Sequence, residues 1–353
     1  MSSDRNPEAA SAEYLTDVLR RNGVIGNSHV HEVETESSRQ LLLSRIIRLR
    51  LKYDREIPAA PGTLILKTGL DGDALKRPDV GRAEVAFYDK IAPEMPPGTV
   101  PSCFDTEWNG ETRSWHLLLE DLTDSHVIAT AWPLPPTREQ CEAIIDTRAK
   151  CHARWWDDPR LGTSVGTLPD AAATDKYQRD LTGHFTNFVD RLGDLLSADR
   201  RALYEKYFEV LPDLLAQRRS RRNLTLMHGD AHVWNCFLPR DAGGSVRLFD
   251  WDGWRIGVAA GDLAYMMAVH WYPDRRRLFE RPLLDRYHAT LLAHGVTGYD
   301  RRALEDDYRV AALMSLATPV FFVVYDIPPY VWWSHLERIM LAVDDLGCRD
   351  LLR

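Results

Sequence analysis

The residues whose types and spacing could do chemistry lie between positions 226 and 252. The segment LMHGDAHVWNCFL contains His228, Asp230 and Asn235, and the segment VRLFDWD places Asp250 directly after an apolar run. Phosphoryl transfer requires a carboxylate that orients the attacking hydroxyl, together with oxygen ligands for magnesium. An aspartate and a nearby asparagine on a loop, followed by an aspartate at the end of a strand, could supply both. The pattern therefore indicates phosphoryl transfer.

These residues resemble the catalytic loop of the aminoglycoside phosphotransferase and choline kinase family, a branch of the protein-kinase-like superfamily. That branch carries HGD where protein kinases carry HRD. The resemblance implies that Asp230 is the catalytic base and that Asn235 and Asp250 are magnesium ligands. It also implies two supporting positions: His228 packs within the loop, and Asp252 of the DWD triplet makes a further metal or water contact.

A lysine and a glutamate in the N-terminal part offer an independent check. Kinase-like proteins carry a lysine on an apolar strand, and a glutamate on the next helix holds it over the nucleotide phosphates. Lys67 in TLILKT and Glu84 in GRAEVAFYDKI fill these positions. Taken alone, they would be interpreted as a strand-end lysine and a solvated helix glutamate. Together with the downstream loop, they predict a nucleotide-binding pair.

Two more segments are candidates for nucleotide contacts. The segment LLLEDL occupies the position of the family's hinge, so the resemblance implies that the carbonyl of Glu120 and the amide of Leu122 bind adenine. Residues 34–39 are predicted to form a turn between the first two strands, without the glycines of a protein-kinase phosphate loop. Ser37 and Ser38 could contact phosphate there, and an exposed polar turn explains them equally well.

The segment after Asp250 favours a small-molecule acceptor over a protein. No Ala-Pro-Glu-like activation segment follows, and GVAAGDLA leads directly into a helix. The resemblance implies that Asp262 in GDLA is the buried aspartate that braces the catalytic loop. The segments AKCHARWW, HGD, DWD, GDLA and PLLDRYH, with the region from Lys67 to Glu84, are most similar to the ecdysteroid kinase-like group, over about residues 25–325. This similarity implies an acceptor hydroxyl on a bulky, partly apolar molecule.

Two alternatives stay open from the sequence. An aminoglycoside or other antibiotic phosphotransferase would use the same chemistry, but it would need several carboxylates to bind ammonium groups. The uninterrupted acidic run at 305–307 is explained by the start of a helix. A nucleotide-binding pseudokinase is disfavoured, because every expected ionic group is present. The predicted cofactors are ATP (or GTP) and Mg²⁺.

The elements that position these residues indicate an α+β protein. Turn signals and apolar alternation predict strands at 40–53, 63–67 and 114–122 and a helix at 81–91. A mainly helical part follows a proline-rich segment, and its predicted helices are 137–156, which opens with a capping box, 174–193, 197–218, 259–271, 281–294, 301–323 and 330–346. We predict a two-lobed protein-kinase-like fold, with an antiparallel-sheet N-lobe at 1–122 and a mainly helical C-lobe at 123–353.

Composition restricts the class of partner. The chain has 353 residues and a net charge of −8, which argues against nucleic acid because phosphate binding normally requires a basic surface. The five cysteines form no CxxC pair, so neither a disulfide framework nor a zinc site is indicated. No signal-peptide pattern is present, and no stretch approaches the ~20 apolar residues of a membrane span. We expect a cytoplasmic protein with a small-molecule hydroxyl compound as its acceptor and no membrane partner.

Overall fold

The computed structural model of the chain describes residues 7–41, 43–70, 79–217, 222–241 and 243–353. Its backbone contacts divide the chain into two compact units. The first unit comprises Met1–Ile128 and Phe237–Trp254, and the second comprises Ala129–Cys236 and Arg255–Arg353. Residues 237–254 therefore group with the N-terminal part, whereas a division after residue 122 places them in the C-terminal part.

The helices and strands are numbered in chain order. The helices are α1 (Ala12–Arg21), α2 (Arg82–Lys90), α3 (Arg138–Arg154), α4 (Ala171–Leu192), α5 (Ala198–Gln217), α6 (Ala260–Met267), α7 (Pro273–Ala293), α8 (Arg301–Met314), α9 (Ala317–Val324) and α10 (Pro329–Asp345). The strands are β1 (Val30–Gln40), β2 (Arg45–Tyr53), β3 (Thr63–Thr68), β4 (Cys103–Trp108), β5 (Trp115–Glu120), β6 (His126–Ile128), β7 (Leu224–Met227), β8 (Cys236–Pro239), β9 (Arg247–Leu248) and β10 (Arg255–Val258). The predicted α+β class is confirmed.

An antiparallel sheet forms the centre of the first unit, where five strands of the described residues run in the order β1-β2-β3-β5-β4. The alternation predicted in β2 is present, since Ile47 and Leu49 are buried while Arg50 is exposed. Leu15 and Leu19 on one face of α1 belong to the same core. The apolar face of the helix and the apolar side of the sheet therefore cover each other.

The first two strands differ from their predicted bounds. The predicted strand at 40–53 begins at Arg45, and Leu42 lies outside the described residues. The predicted turn at 34–39 is wrong, because β1 runs through it. The backbone nitrogen of Leu41 donates to the carbonyl of Ser44 at 2.8 Å in the actual connection. Most side chains of β1 are exposed or half-buried, so this strand lacks the apolar alternation that would identify it.

Residues 237–254 are joined to the rest of the first unit by pairing and packing. Strand β6 pairs antiparallel with β8, with Val127 opposite Leu238, and β9 completes this small sheet. The ring of Trp251 is stacked on Phe87 of α2, with centroids 4.1 Å apart and an interplanar angle of 7°. The segment that carries Asp250 is therefore packed against the helix that carries Glu84.

The second unit is mainly helical, with β7 and β10 as an antiparallel pair. Helix α3 begins with the predicted capping box. The nitrogen of Gln140 donates to Oγ1 of Thr137 at 3.3 Å, and the nitrogen of Thr137 donates to Oε1 of Gln140 at 2.8 Å. Trp155 and Trp271 are buried in the interior of this unit.

Prolines explain two differences in the helical part. The prediction starts α7 at 281, beside Pro282, but the helix begins at Pro273 and contains Pro282 in its interior. Both prolines could open a helix, since the first helical position needs no backbone donor. The predicted helix at 301–323 is divided into α8 and α9. Pro319 has no backbone N–H, and its ring would collide with the carbonyl of Ser315 in a continuous helix.

The stretch Arg301–Val324 contains a window of mean hydropathy 1.4, which is long and apolar enough for a membrane span by length and composition. The expectation that no stretch reaches this threshold is therefore wrong. Half of the window, 50%, is buried inside the protein. A buried core helix passes the same test, so the stretch carries no membrane assignment.

Candidate active site

A lysine and two carboxylates meet in the first unit. Lys67 lies on β3 and Glu84 on α2, and Nζ of Lys67 is 2.6 Å from Oε2 of Glu84. The same Nζ atom is 2.8 Å from Oδ1 of Asp250. The side chain of Glu84 is 2% exposed and that of Asp250 is 45% exposed. Three of the residues singled out from the sequence are thus in contact, and Asp250 has the more accessible carboxylate.

The surroundings of Lys67 favour its charged form. Burial alone would lower the pKa of Lys67, but Glu84 and Asp250 outweigh this effect and raise it. Burial raises the pKa of Glu84 and of Asp252, and Lys67 opposes both shifts. A lysine held as a cation in this way is suited to neutralise phosphate oxygens.

The backbone at Asp250 adopts an uncommon conformation. Its φ of 65° and ψ of 62° lie in the left-handed region, which residues with a side chain rarely occupy and which occurs preferentially at functional sites. Oδ1 of Asp252 accepts a hydrogen bond from the nitrogen of Gly81 at 3.2 Å. Asp252 therefore lies at the positive end of α2 and ties the segment of Asp250 to that helix. A metal contact by Asp252 stays a prediction.

Glu120 is the last residue of β5, and Leu122 follows it closely. Oε1 of Glu120 is 3.4 Å from Nε of Arg247. The carbonyl of Leu122 accepts a hydrogen bond from the nitrogen of His126 at 2.9 Å, and its side chain is buried. The main-chain contacts of Glu120 and Leu122 with adenine stay predictions.

Ser37 and Ser38 lie inside β1, opposite Arg48 and Ile47 of β2. Oγ of Ser38 accepts a hydrogen bond from Nε of Arg45 at 2.7 Å. The two serines were expected in a turn, and that expectation is wrong because β1 extends beyond them. A phosphate contact by these serines stays a prediction, with a strand as its location.

The loop after β7 brings Asp230 and Asn235 together in the second unit. Nδ2 of Asn235 donates to the carbonyl of Asp230 at 3.0 Å and to its Oδ2 at 3.1 Å. The side chain of Asp230 is 43% exposed. Tyr265 is half-buried and forms a side-chain hydrogen bond with Asp230, and its desolvation and this contact both raise the pKa of the tyrosine. The carboxylate is thus oriented by two neighbours and is still accessible.

A buried aspartate braces the HGD turn. Oδ2 of Asp262 accepts a hydrogen bond from the nitrogen of His228 at 2.7 Å, and Oδ1 accepts one from the nitrogen of Gly229 at 3.0 Å. Gly229 has a φ of 85°, a conformation that glycine adopts without strain. Two adjacent backbone donors can therefore point at one carboxylate, which fixes the residues immediately before Asp230.

Two side chains from α3 complete this network. Nη2 of Arg148 donates to the carbonyl of Ala231 at 3.1 Å, and Nη1 is 3.5 Å from Oδ2 of Asp262. Nε2 of His152 is 3.2 Å from the same oxygen, and its Nδ1 is 2.7 Å from the hydroxyl of Tyr287. Burial alone would raise the pKa of Asp262, but His152 and Arg148 hold it well below its usual range. Burial lowers the pKa of His152.

The sequence interpretation missed three side chains around this loop: Arg148, His232 and Tyr265. Arg148 precedes His152 by one helical turn on the predicted helix α3, and this spacing puts both on one face. Tyr265 follows Asp262 at a spacing of three on α6, which has the same consequence. These spacings could have identified Arg148 and Tyr265 from the sequence. For His232, the only signal was its closeness to the HGD triplet along the chain.

The donor atoms suit a magnesium ion. In the second unit, Nδ2 of Asn235 is engaged by Asp230, so Oδ1 is the oxygen that this amide offers to a cation. In the first unit, Asp250 offers an accessible carboxylate. Within the described ranges, no group of three or more His, Cys, Asp or Glu side chains forms a ready-made metal cage. This composition fits magnesium, which usually takes one or two protein ligands and completes its shell with phosphate and water oxygens.

Solved structures share this fold over nearly the whole chain. The ternary complex of APH(2″)-IIa with streptomycin and ATP has a TM-score of 0.53 and 12% identity, covering 95% of this chain and 97% of the other. Choline kinase LicA from Streptococcus pneumoniae has a TM-score of 0.50 and 11% identity, covering 95% and 98%. An aminoglycoside phosphotransferase candidate from Ralstonia eutropha JMP134 has a TM-score of 0.58 and 13% identity, covering 97% and 98%. These similarities show a protein-kinase-like fold.

The sequence itself is matched at the level of a family. Among curated protein sequences, none matches it significantly. The model of the ecdysteroid kinase-like family matches residues 40–295, which include Lys67, Glu84 and the segment from His228 to Asp262. Because this match covers most of the chain and the fold agrees with it, the protein belongs to the ecdysteroid kinase-like family.

Proposed function

We propose that this protein is a small-molecule kinase that transfers the γ-phosphate of ATP (or GTP) to a hydroxyl group of a small, partly apolar metabolite. The observation that carries the proposal is the position of Lys67 between Glu84 at 2.6 Å and Asp250 at 2.8 Å. A largely buried cation held by two carboxylates, one of them accessible, is suited to bind phosphate beside a metal ion. Membership of a kinase-like family supports this interpretation.

Each group of the first unit has a defined task in this proposal. Glu84 fixes Lys67, and Lys67 binds the α- and β-phosphates. Asp250 is a magnesium ligand, as is Asn235 of the second unit, and the ion when bound neutralises charge on the phosphate oxygens. The carbonyl of Glu120 and the amide of Leu122 bind the base.

The second unit supplies the carboxylate that handles the acceptor. Asp230 orients the acceptor hydroxyl and accepts its proton. The acceptor oxygen forms a bond to the γ-phosphorus, the bond from that phosphorus to the bridging oxygen breaks, and the nucleoside diphosphate leaves with the bonding electron pair. Asn235 and Tyr265 hold Asp230 by hydrogen bonds, so its direction is set before the acceptor binds. Rate acceleration then comes from positioning and charge neutralisation.

An aminoglycoside acceptor is the second candidate, because similar folds include the complex of APH(2″)-IIa with streptomycin. The acidic run at 305–307 does not favour it. Glu305 and Asp306 form ion pairs within α8, with Arg301 at 3.6 Å and Arg302 at 4.0 Å. Protection of a sensitive bacterial strain by expression of the protein would separate this candidate from a metabolite kinase.

Thermal unfolding with ATP or GTP, each with and without magnesium, tests the proposal. A nucleotide at ~100 times its dissociation constant stabilises the folded protein by about 2.7 kcal/mol. We expect a magnesium-dependent rise of Tm with at least one nucleotide. The Lys67→Met variant should lose this rise, and Lys52→Met, which removes an exposed lysine paired with Glu32, should keep it. The absence of any rise with either nucleotide would reject the kinase assignment.

A further inference from the structure

A row of polar rings extends from Asp230 into the interior of the second unit. Nε2 of His232 is 3.5 Å from Oδ2 of Asp230. The ring of His232 lies 5.6 Å from that of Trp234 and 5.8 Å from that of His270. The ring of His270 lies 4.7 Å from that of His335 on α10. The carboxylate that handles the acceptor is thus continuous with a cluster of histidines.

An arginine lies at the far end of this row. Arg338 follows His335 by three residues on α10, a spacing that puts both on one face of the helix. Its side chain is largely buried, with 7% exposed, and the ring of His335 also packs against Phe322 at 5.6 Å. We call His232, Trp234, His270, His335 and Arg338 the histidine–arginine cluster.

Several polar atoms of the histidine–arginine cluster are buried without a hydrogen-bond partner. They are both ring nitrogens of His335, Nδ1 of His232, Nε1 of Trp234 and Nε of Arg338. Buried polar groups in folded proteins are nearly always paired, because leaving one unpaired loses its hydrogen bonds to water without replacement. Several such atoms in one contiguous cluster beside Asp230 indicate that a ligand supplies the missing partners.

The charge of the cluster indicates what kind of ligand this is. Arg338 donates to Oγ of Ser334 at 2.8 Å and stacks over the ring of Tyr272 at 5.2 Å. Among the described residues, no carboxylate lies within 4.0 Å of its guanidinium group. Burial lowers the pKa of Arg338, as expected for a buried guanidinium group that has no carboxylate beside it. A buried arginine without a counterion is costly, and planar oxyanions match its fork of donors.

The other buried arginines of the described residues have such a counterion. Arg276 lies 2.6 Å from Asp345, and Arg148 lies 3.5 Å from Asp262. Burial lowers the pKa of His270 and His335, so these rings are neutral and cannot balance an anion or a cation by charge. The net charge of the histidine–arginine cluster is therefore positive, which is the opposite of what a polyamine acceptor requires.

We infer that the acceptor is an anionic alcohol, whose hydroxyl reacts at Asp230 and whose oxyanion, a carboxylate or a phosphate ester, pairs with Arg338. The imidazole nitrogens of His232 and His335 and the indole N–H of Trp234 bind its remaining oxygen atoms. This inference rests on the proposed function and names its substrate class. It excludes aminoglycosides and amino alcohols, because their ammonium groups would meet Arg338.

Matched sets of alcohols test the inference. Four series share the same hydroxyl-bearing carbon skeletons and differ only in the terminal group, which is a carboxylate, a phosphate ester, a carboxamide or a primary amine. Phosphorylated products are detected by mass with ATP and magnesium, and kcat/KM is measured for each product. Binding of the same compounds is measured by saturation-transfer NMR with a non-hydrolysable ATP analogue, which needs no turnover.

We expect the carboxylate or the phosphate-ester series to exceed the matched carboxamides by at least tenfold in kcat/KM or in affinity, and the series that wins identifies the oxyanion. The Arg338→Met variant should bring that ratio close to one, mainly through KM, and Arg338→Lys should restore part of it. Arg302→Met is the matched control, because this arginine is exposed on α8, and it should keep the full ratio.

Two results would overturn the inference. One is a preference for the carboxamides or amines in turnover or in binding. The other is a preference for anions that Arg338→Met leaves intact while its thermal unfolding matches that of Arg302→Met, since Arg338 would then have only a structural role. The proposed kinase function fails separately, by the absence of magnesium-dependent stabilisation with either nucleotide. The binding measurement decides the substrate class even if no product forms.

Discussion

The carboxylate of Asp262 accepts a hydrogen bond from the backbone nitrogen of His228 at 2.7 Å, and the two residues come from different elements of the second unit. The same carboxylate holds Gly229 and faces Arg148. One buried side chain thus links α3, α6 and the loop that carries Asp230. Its removal should affect stability and the orientation of Asp230 together.

Asp262→Ala should lower the free energy of unfolding by about 3–5 kcal/mol, because Arg148 would stay buried without its counterion. Urea denaturation followed by tryptophan fluorescence measures this loss. Asp306→Ala is the control, since Asp306 is 63% exposed and its contact with Arg302 is 4.0 Å long. A loss below about 1 kcal/mol for Asp262→Ala would show that the network does not depend on this carboxylate.

Asp230→Asn should lower kcat by at least about a hundredfold, because an amide cannot accept the proton of the acceptor hydroxyl. Nucleotide-dependent thermal stabilisation should persist, since Lys67 and Asp250 are unchanged. The measurement is product formation by mass beside a thermal unfolding assay, with Asp274→Asn as a variant at an exposed position. Turnover close to that of the unmodified protein would remove Asp230 from its proposed task.

Glu84→Gln should lower the apparent nucleotide affinity by about ten- to a hundredfold, because a charge-assisted hydrogen bond to Lys67 is worth about 1.5–3 kcal/mol. The matched control is Glu32→Gln, which removes the carboxylate of a lysine–glutamate pair at 2.8 Å whose side chains are about half exposed. Titration of ATP against Tm measures both. Equal affinities for the two variants would mean that the buried pair does not position Lys67 for nucleotide.

Mild acid should destabilise the protein through its buried histidines. Burial lowers the pKa of His152 and His270, and it lowers that of His335 to about 3. The unfolded chain takes up these protons near pH ~6.5 and the folded chain does not, so this stability is complete above that pH and is lost below it. His270 and His335, whose pKa values are lowered furthest, should then each lower the free energy of unfolding by about 1 kcal/mol between pH ~6.5 and ~5.5.

The measurement is the slope of the unfolding free energy against pH. His335→Gln should reduce this slope by the contribution of one histidine, even if the substitution also changes the unfolding free energy equally at every pH. His294→Gln serves as the comparison, because His294 is exposed at the end of α7 and should leave the slope unchanged. Stability independent of pH over this interval would contradict the assignment of neutral interior rings.

The parts of the fold that the sequence predicted are those with a local signal. Lys67 and Glu84 lie in a short apolar strand and an amphipathic helix, so their positions could be derived from spacing. The capping box of α3 is equally local, since it depends only on Thr137 and Gln140. Strand β1 has a mostly exposed surface, and its identity depends on pairing with β2, which no local pattern records.

The candidate acceptor residues illustrate the same difference. His228, Asp230 and Asn235 form a motif within one loop, so the sequence indicated their chemistry. His335 and Arg338 lie on the last long helix, and this helix comes near the Asp230 loop through the contact of His335 with His270, which follows α6. The spacing of His335 and Arg338 on α10 is common to any two residues on one face of a helix, so it does not identify a site. Only the unpaired atoms in the folded protein distinguish them from ordinary core residues.

The division of the first unit into Met1–Ile128 and Phe237–Trp254 affects the order in which the protein matures on the ribosome. The nascent first unit lacks β8, β9, Asp250 and the stacking partner of Phe87 until residue 254 has been synthesised. A fragment cut at residue 128 would therefore expose Phe87 and leave Lys67 with one of its two carboxylates. Experiments that need the first unit in isolation should fuse residues 237–254 to its end through a flexible linker.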